Sequence, residues 1–170
     1  MTAVRTGRWT DDHDGPLVVF VIGMTVNSWW RLRRWWPVAA AMPRMLRELA
    51  ADPGAGLLGW TMALGSRGPV LVQYWSSTEQ LLAYAHDVDG QHRPAWAAYN
   101  AMVRQAGPVV GVWHETYQVP AGGHESVYVN TPALGLGACV GHVPVARRGD
   151  GAGQRLSGGE PLSPPAAGPR

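Results

Sequence analysis

From Leu17 to Val26 the chain reads LVVFVIGMTV, ten residues with no charge and six β-branched side chains. A run like this can cross a bilayer or be buried in a sheet. A spanning helix needs ~20 apolar residues. This run is half that length, contains Gly23 and is rich in Val and Ile, so it predicts a buried strand. Val18, Phe20, Ile22, Met24 and Val26 then share one wholly apolar face, suited to packing under helices. Val19, Val21, Gly23, Thr25 and Asn27 share the other. There Gly23 leaves space, and Thr25 and Asn27 add polarity toward one end. Such a face is either a pocket floor or a strand end turning toward solvent.

The rest of the chain supplies partners for that strand. Met42, Met45, Leu46 and Leu49 fit one helical face, with Pro37 and Pro43 expected to break or reset the helix. Asp52, Pro53 and Gly54 end it. Leu57–Gly65 (LLGWTMALG) and Pro69–Trp75 (PVLVQYW) read as a hairpin turning through 66–68. Ser76 and Glu79 read as a capping box opening a short helix with Leu81, Leu82 and Ala85. Asp87–Gln91 is a loop, Pro94 suits a first helical position, and Trp96–Gln105 continues as helix to Gly107-Pro108. Val109–Val119 is a fourth strand. The order strand, helix, strand, strand, helix, strand predicts an α+β, ferredoxin-like βαββαβ sheet. Its helices cover one face, and the bare face is expected to meet the same face of a second copy, giving a homodimer.

Composition sets outer bounds. The chain has 170 residues, 46% of them apolar and only 15% charged, with a net charge of +2. It is expected to form an N-terminal flexible arm over 1–15, one domain over 16–141, and a disordered Gly/Pro-rich tail over 142–170. Ala146–Arg170 is expected to be dispensable for folding. The N-terminus does not resemble a signal peptide, which predicts a cytoplasmic protein without stable membrane insertion. The slight positive balance calls for no nucleic-acid partner. All 14 basic residues are Arg. The absence of Lys excludes Schiff-base chemistry and a Walker A loop. Cys139 alone excludes an internal disulfide or CxxC site. Nine Trp against one Phe suggest an aromatic-lined pocket, a large interface, or both.

Among the histidines, His92 stands before Pro94 at the mouth of a helix. There it can act as a base, a proton shuttle or an axial ligand, or simply cap the helix. His114 and Glu115 are adjacent in a strand and point to opposite faces, so they are not a catalytic pair. No spacing supports a zinc or non-haem iron site. Gly54–Gly59 precedes a strand, so it fails as a dinucleotide loop, and no serine lies in a GxSxG elbow. The block Trp29–Trp36 (WWRLRRWW) can dock on a membrane surface, stack on bases, or form an interface with Arg stems over Trp rings.

Four blocks carry a resemblance: FVIGMTVNSWWRLRRWWPVAAAMPRMLREL (Phe20–Leu49), VQYW with YAHDVDGQHRPAWAAYN (Val72–Asn100), GVWHETY (Gly111–Tyr117) and ESVYVNTPALGLG (Glu125–Gly137). Together they resemble the bacterial and fungal family of the fumagillin-pathway monooxygenase. That family is similar to the antibiotic-biosynthesis monooxygenases, which are dimeric α/β barrels. The resemblance implies a small oxygenase acting, without cofactor, on an aromatic or polyketide-like small molecule in a Trp-rich pocket. It implies His92 as base, Asn27 and Trp75 holding the substrate's oxygen, and Thr25, Tyr84, Trp96 and His114 lining the pocket. The alternative it implies is haem held by His92 as axial ligand, for storage, redox or dehydratase chemistry. Tyr84 stands where some haem-degrading relatives carry Trp, which separates this chain from haem degradation but not from haem binding. A non-catalytic dimeric binding module is a third reading.

Overall fold

The computed structural model describes residues 3–50, 52–86 and 93–156. The apolar run forms strand β2 (Leu17–Val26), and a polar strand β1 (Arg5–Asp11) precedes it. Then come helix α1 (Leu32–Ala50), strands β3 (Leu57–Gly65) and β4 (Gly68–Trp75), helices α2 (Thr78–His86) and α3 (Arg93–Ala106), and strand β5 (Val110–Val119). Strand β6 (Tyr128–Thr131), helix α4 (Gly135–Val140), strand β7 (His142–Pro144) and helix α5 (Ala152–Leu156) follow. One sheet runs β3-β4-β2-β5, antiparallel throughout. That is the strand order of a ferredoxin-like α+β unit, with β2 central and paired on both sides.

The helix-facing side of β2 packs as its alternation predicts. Ile22, Met24 and Val26 meet Val38 and Leu46 of α1 and Tyr99 and Ala106 of α3 in one buried cluster. Helix α1 runs through both Pro37 and Pro43 rather than breaking at either. Each proline removes one backbone hydrogen bond. The buried face made by Val38, Leu46 and Leu49 holds the helix in register regardless. The cap of α2 falls one residue later than expected: Ser77 Oγ accepts from the Gln80 amide at 3.2 Å. Ser76 instead donates to the Gly56 carbonyl at 3.0 Å.

Both chain ends depart from the sequence reading. Residues 5–11, expected in a flexible arm, form a strand, and 142–156, expected in a disordered tail, carry β7 and α5; 157–170 lie outside the described residues. β1 is the middle strand of a second antiparallel sheet, β6-β1-β7. At its end lies Asp11, 1% exposed. Its carboxylate takes His124 Nε2 at 3.0 Å, Ser126 Oγ at 2.8 Å, the His13 amide at 3.0 Å and Arg148 Nη1 at 3.2 Å. Arg148 also donates to the carbonyls of Asp11 and His13. Arg155, also buried, pairs with Glu125 at 2.9 Å and donates to the Gly149 and Asp150 carbonyls. A composition reading misses this layer because charge pairing between distant segments ties it together, with only a few buried apolar side chains such as Leu136, Val143 and Val145. The bonds to Asp11 from His124, Ser126 and Arg148 join residues 113 to 137 positions apart.

The second layer also changes what covers the main sheet. α4 lies on the face opposite the helices, against β3. The Cys139 side chain occupies the space a side chain at Gly59 would need. That face is therefore not bare, as the sequence predicted. At β2 and β5 it remains open, where the Trp113 ring lies over Gly23.

Asp11→Asn keeps the side chain's shape and removes its charge. We expect a loss of ~3 kcal/mol in chemical denaturation, as for a broken buried ion pair. Burial pushes the Asp11 carboxyl up. Hydrogen bonds from His124 and Ser126, the charge of His124 and the His13 amide outweigh it, bringing the carboxyl from 3.8 to about 2. The charged form is favoured in the fold, so this contribution is complete above about pH 4 and is lost as pH falls toward 2. The wild type should lose roughly 2 kcal/mol across that window, and Asp11→Asn should not. Ending the chain at Val145 removes Arg148 and Arg155, and should lower Tm by more than ~5 °C. An unchanged Tm would show that β1 holds without them.

Candidate functional site

Between the main sheet and its helices lies an apolar cavity of about 90 Å³. Strand alternation builds its floor. Phe20 and Ile22 of β2 stand beside Leu71, Gln73 and Trp75 of β4, because Phe20 opposes Gln73, and Ile22 opposes Leu71, across the ladder. α1 contributes Leu46 and Leu49, α2 contributes Leu81 and Tyr84, and α3 contributes Tyr99.

The floor carries one polar pair. Trp75, fully buried, donates its indole N–H to Gln73 Oε1 at 2.9 Å. Indole only donates, so this bond fixes the orientation of the carboxamide: oxygen toward Trp75, NH2 away from it. Gln73 thus offers a preset donor in an apolar wall. The Trp75 and Tyr84 rings lie 5.6 Å apart. Burial pushes the Tyr99 phenol up to about 12, so it stays protonated at neutral pH. The described lining holds donors and no base.

The structure separates residues that the sequence reading brought together. Trp75 and Tyr84 line the cavity. Trp75 opposes Val18 at the start of β2, while Asn27 follows its far end, ~30 Å along the strand. Asn27 Nδ2 donates to the Pro108 carbonyl at 3.0 Å, and its amide to the Val109 carbonyl at 2.9 Å. It ties β2 to the start of β5 and stands apart from the cavity lining. Thr25 opposes Gly111 on the face away from the cavity. His114 opposes Ile22 and is exposed, its ring 5.5 Å from Phe20; it stands one ring outside the cavity. His92 and the side chain of Trp96 lie outside the described residues. Gln73 was not singled out from the sequence. The signal available was its place two residues before Trp75, on the same strand face.

Two other chemistries find no support among the described residues. Asp11, His124 and Ser126 are the residue types of a hydrolytic triad. Here the serine hydroxyl donates to the carboxylate rather than to the imidazole, so the serine is not activated and the cluster is a clamp. For haem, the described lining offers neither imidazole nor thiolate, and the cavity is a fraction of a porphyrin's volume. Haem ligation would rest on His92, which lies outside the described residues. Among the described residues no group of three or more His, Cys, Asp or Glu could hold a metal ion. No described helix is long and apolar enough to cross a membrane.

A family model described as monooxygenase af470-like matches residues 17–136, from the start of β2 into α4. The monooxygenase af470 of Aspergillus fumigatus is 36% identical over 155 residues, covering 81% of this chain and 50% of that protein. The chain therefore spans about half the length of this curated relative. Among solved structures, an aldoxime dehydratase in complex with butyraldoxime superposes with a TM-score of 0.55 at 16% identity, over 75% of this chain and 38% of that one. SnoaB, a cofactor-independent oxygenase from Streptomyces nogalater, gives a TM-score of 0.43 at 15% identity, over 61% and 92%. At these identities the structural likeness concerns the fold.

Asn27→Ala should cost ~1 kcal/mol of stability and leave the affinity of an apolar fluorescent probe for the cavity unchanged. Trp75→Phe should weaken that probe several-fold, because it frees the Gln73 amide and enlarges the cavity. Equal loss of probe affinity in both variants would return Asn27 to the site.

Proposed function

The chain belongs to the monooxygenase af470-like family, and from that premise we propose that it is a small oxygenase acting without a cofactor on an aromatic or polyketide-like molecule, part of which enters the cavity at Gln73, Trp75 and Tyr84. What supports this is the Trp75–Gln73 hydrogen bond. It holds one amide donor, already oriented, in a mostly apolar wall. A donor of that kind binds a carbonyl or phenol oxygen and gains strength as the oxygen becomes anionic. The role first given to Asn27 and Trp75 passes to Gln73.

In this reaction an acidic C–H carbon of the substrate loses a proton, and its oxygen becomes an enolate or phenolate held by Gln73. The carbanion passes an electron to dioxygen. The radical pair joins into a C–OOH group, and loss of water leaves a carbonyl. A CH2 carbon and O2 thereby give C=O and H2O, the substrate supplying all four electrons. We assign the proton-accepting role to His92, since the described wall contains no base. A cavity of about 90 Å³ is smaller than the ~150 Å³ site that holds benzene in an engineered core. Binding therefore displaces side chains, and α2 is the candidate: of its residues with described burial, only Leu81 is buried.

A second copy fits the open part of the sheet. Val19 and Val21 are half-buried there, with Trp113 39% and Tyr117 52% exposed. We propose a homodimer joined through this face, burying on the order of 2,000 Å². A monomeric mass at micromolar concentration in light scattering would overturn it.

Gln73→Met keeps the packing and removes the donor. We expect kcat/KM on an anthrone- or naphthol-type substrate to fall ~100-fold or more. Stability should drop by only ~1–3 kcal/mol, because the Trp75 N–H is left without its acceptor. His92→Ala should abolish turnover with Tm unchanged. Full activity in Gln73→Met would place the chemistry elsewhere. A Soret band in active purified protein, lost with His92→Ala, would replace this reading with the haem one.

A further inference from the structure

One end of the main sheet is built from three segments that the proposed oxygenase site does not use. β2 ends at Val26, whose amide is bonded to the Arg67 carbonyl in the β3–β4 turn. On its other side, Asn27 is bonded to Pro108 and Val109. The chain then turns through Ser28–Arg31 into α1, with the Trp35 indole donating to the Trp29 carbonyl at 3.0 Å. The hairpin tip, the entry to α1 and the exit from α3 therefore sit together.

This end is apolar where it should be polar. Trp30 is 81% exposed, Trp36 59%, Trp29 50% and Leu32 53%, and across the turn Leu64 is 87% exposed. The Trp29 and Trp35 rings meet edge to face at 5.3 Å, and Trp36 continues the series at 5.9 Å. The end is also charged with one sign. Arg31, Arg33, Arg34, Arg67 and Arg104 all lie on these segments and are exposed. Residues 26–41, 62–70 and 100–112 contain no Asp or Glu. The N-terminus of α1 adds its own positive dipole end. The whole chain carries only +2, so this is a local field and not a property of the molecule.

We propose that this end docks on an anionic lipid surface, with Trp29, Trp30, Trp36 and Leu64 in the headgroup boundary and the five arginines on acidic headgroups. Trp is the residue that partitions to that boundary, and exposed Arg beside it supplies ~1 kcal/mol each against an acidic leaflet. A helix start and a hairpin tip are convex. A fluid lipid surface moulds to convex apolar projections, whereas base stacking needs a channel, and Leu32 and Leu64 offer bases no ring to stack on. The contact is interfacial and requires no spanning segment.

The test is co-sedimentation of the full chain with phosphatidylcholine vesicles, with and without about one-third phosphatidylserine, read also by the blue shift of Trp fluorescence. Binding is expected only with phosphatidylserine, and should weaken as salt rises. Arg31→Gln/Arg33→Gln/Arg34→Gln should lower affinity ~100-fold. Trp30→Ser/Leu64→Ser should abolish the blue shift, with each variant's melting curve confirming its fold. Absence of binding, or equal binding to both vesicle types, overturns the proposal. So does capture of a single-stranded oligonucleotide in place of vesicles, or a shift to monomer on mutating Trp30 and Leu64, which would make the patch an interface between copies.

Discussion

β2 is hydrogen-bonded along most of its length on one side to β4 and over all of it to β5 on the other. A strand in that position satisfies its backbone within the sheet, and every other element of the main layer is placed by reference to it. Its helix-facing residues fix where α1 and α3 lie. Its pairing with β4 sets Gln73 beside Phe20 and Trp75 beside Val18, which is the floor of the cavity. A one-residue slip would turn Gln73 and Trp75 to the opposite face and remove the site.

The two ends of this strand do different work. Near Val18 the sheet is closed over by α1 and α2 and its side chains are buried, an environment in which a single amide held by an indole makes a stronger hydrogen bond than in water. Near Val26 the backbone is tied on both sides, but the side chains that follow are left in solvent. The first end suits a small molecule. The second is shaped and charged for a surface.

The ferredoxin-like core and the second layer are held by different physics. Apolar burial between sheet and helices orders the core. The second layer has a strand of mostly exposed residues at its centre and depends on Asp11, buried under Arg148, His124 and Ser126. Such pairs specify geometry more than they add stability. They hold β1, against which α4 also packs while it covers β3.

The sequence by itself determined the main sheet, its strand order and which side chains of β2 face the helices, because alternation and turn chemistry act over a few residues. It also carried the family. Leu46 and Leu49 of α1, and Trp75 and Tyr84 of the cavity, were within reach on the same grounds. Only the tertiary structure decided that Asn27 and Trp75 lie at opposite ends of a strand, that the Gln73 amide is the oriented donor, and that Arg5–Asp11 and 142–156 form a layer. Each of these depends on contacts between residues far apart in the chain. No local pattern encodes a carboxylate that becomes a hub only when an arginine 137 positions away folds back onto it.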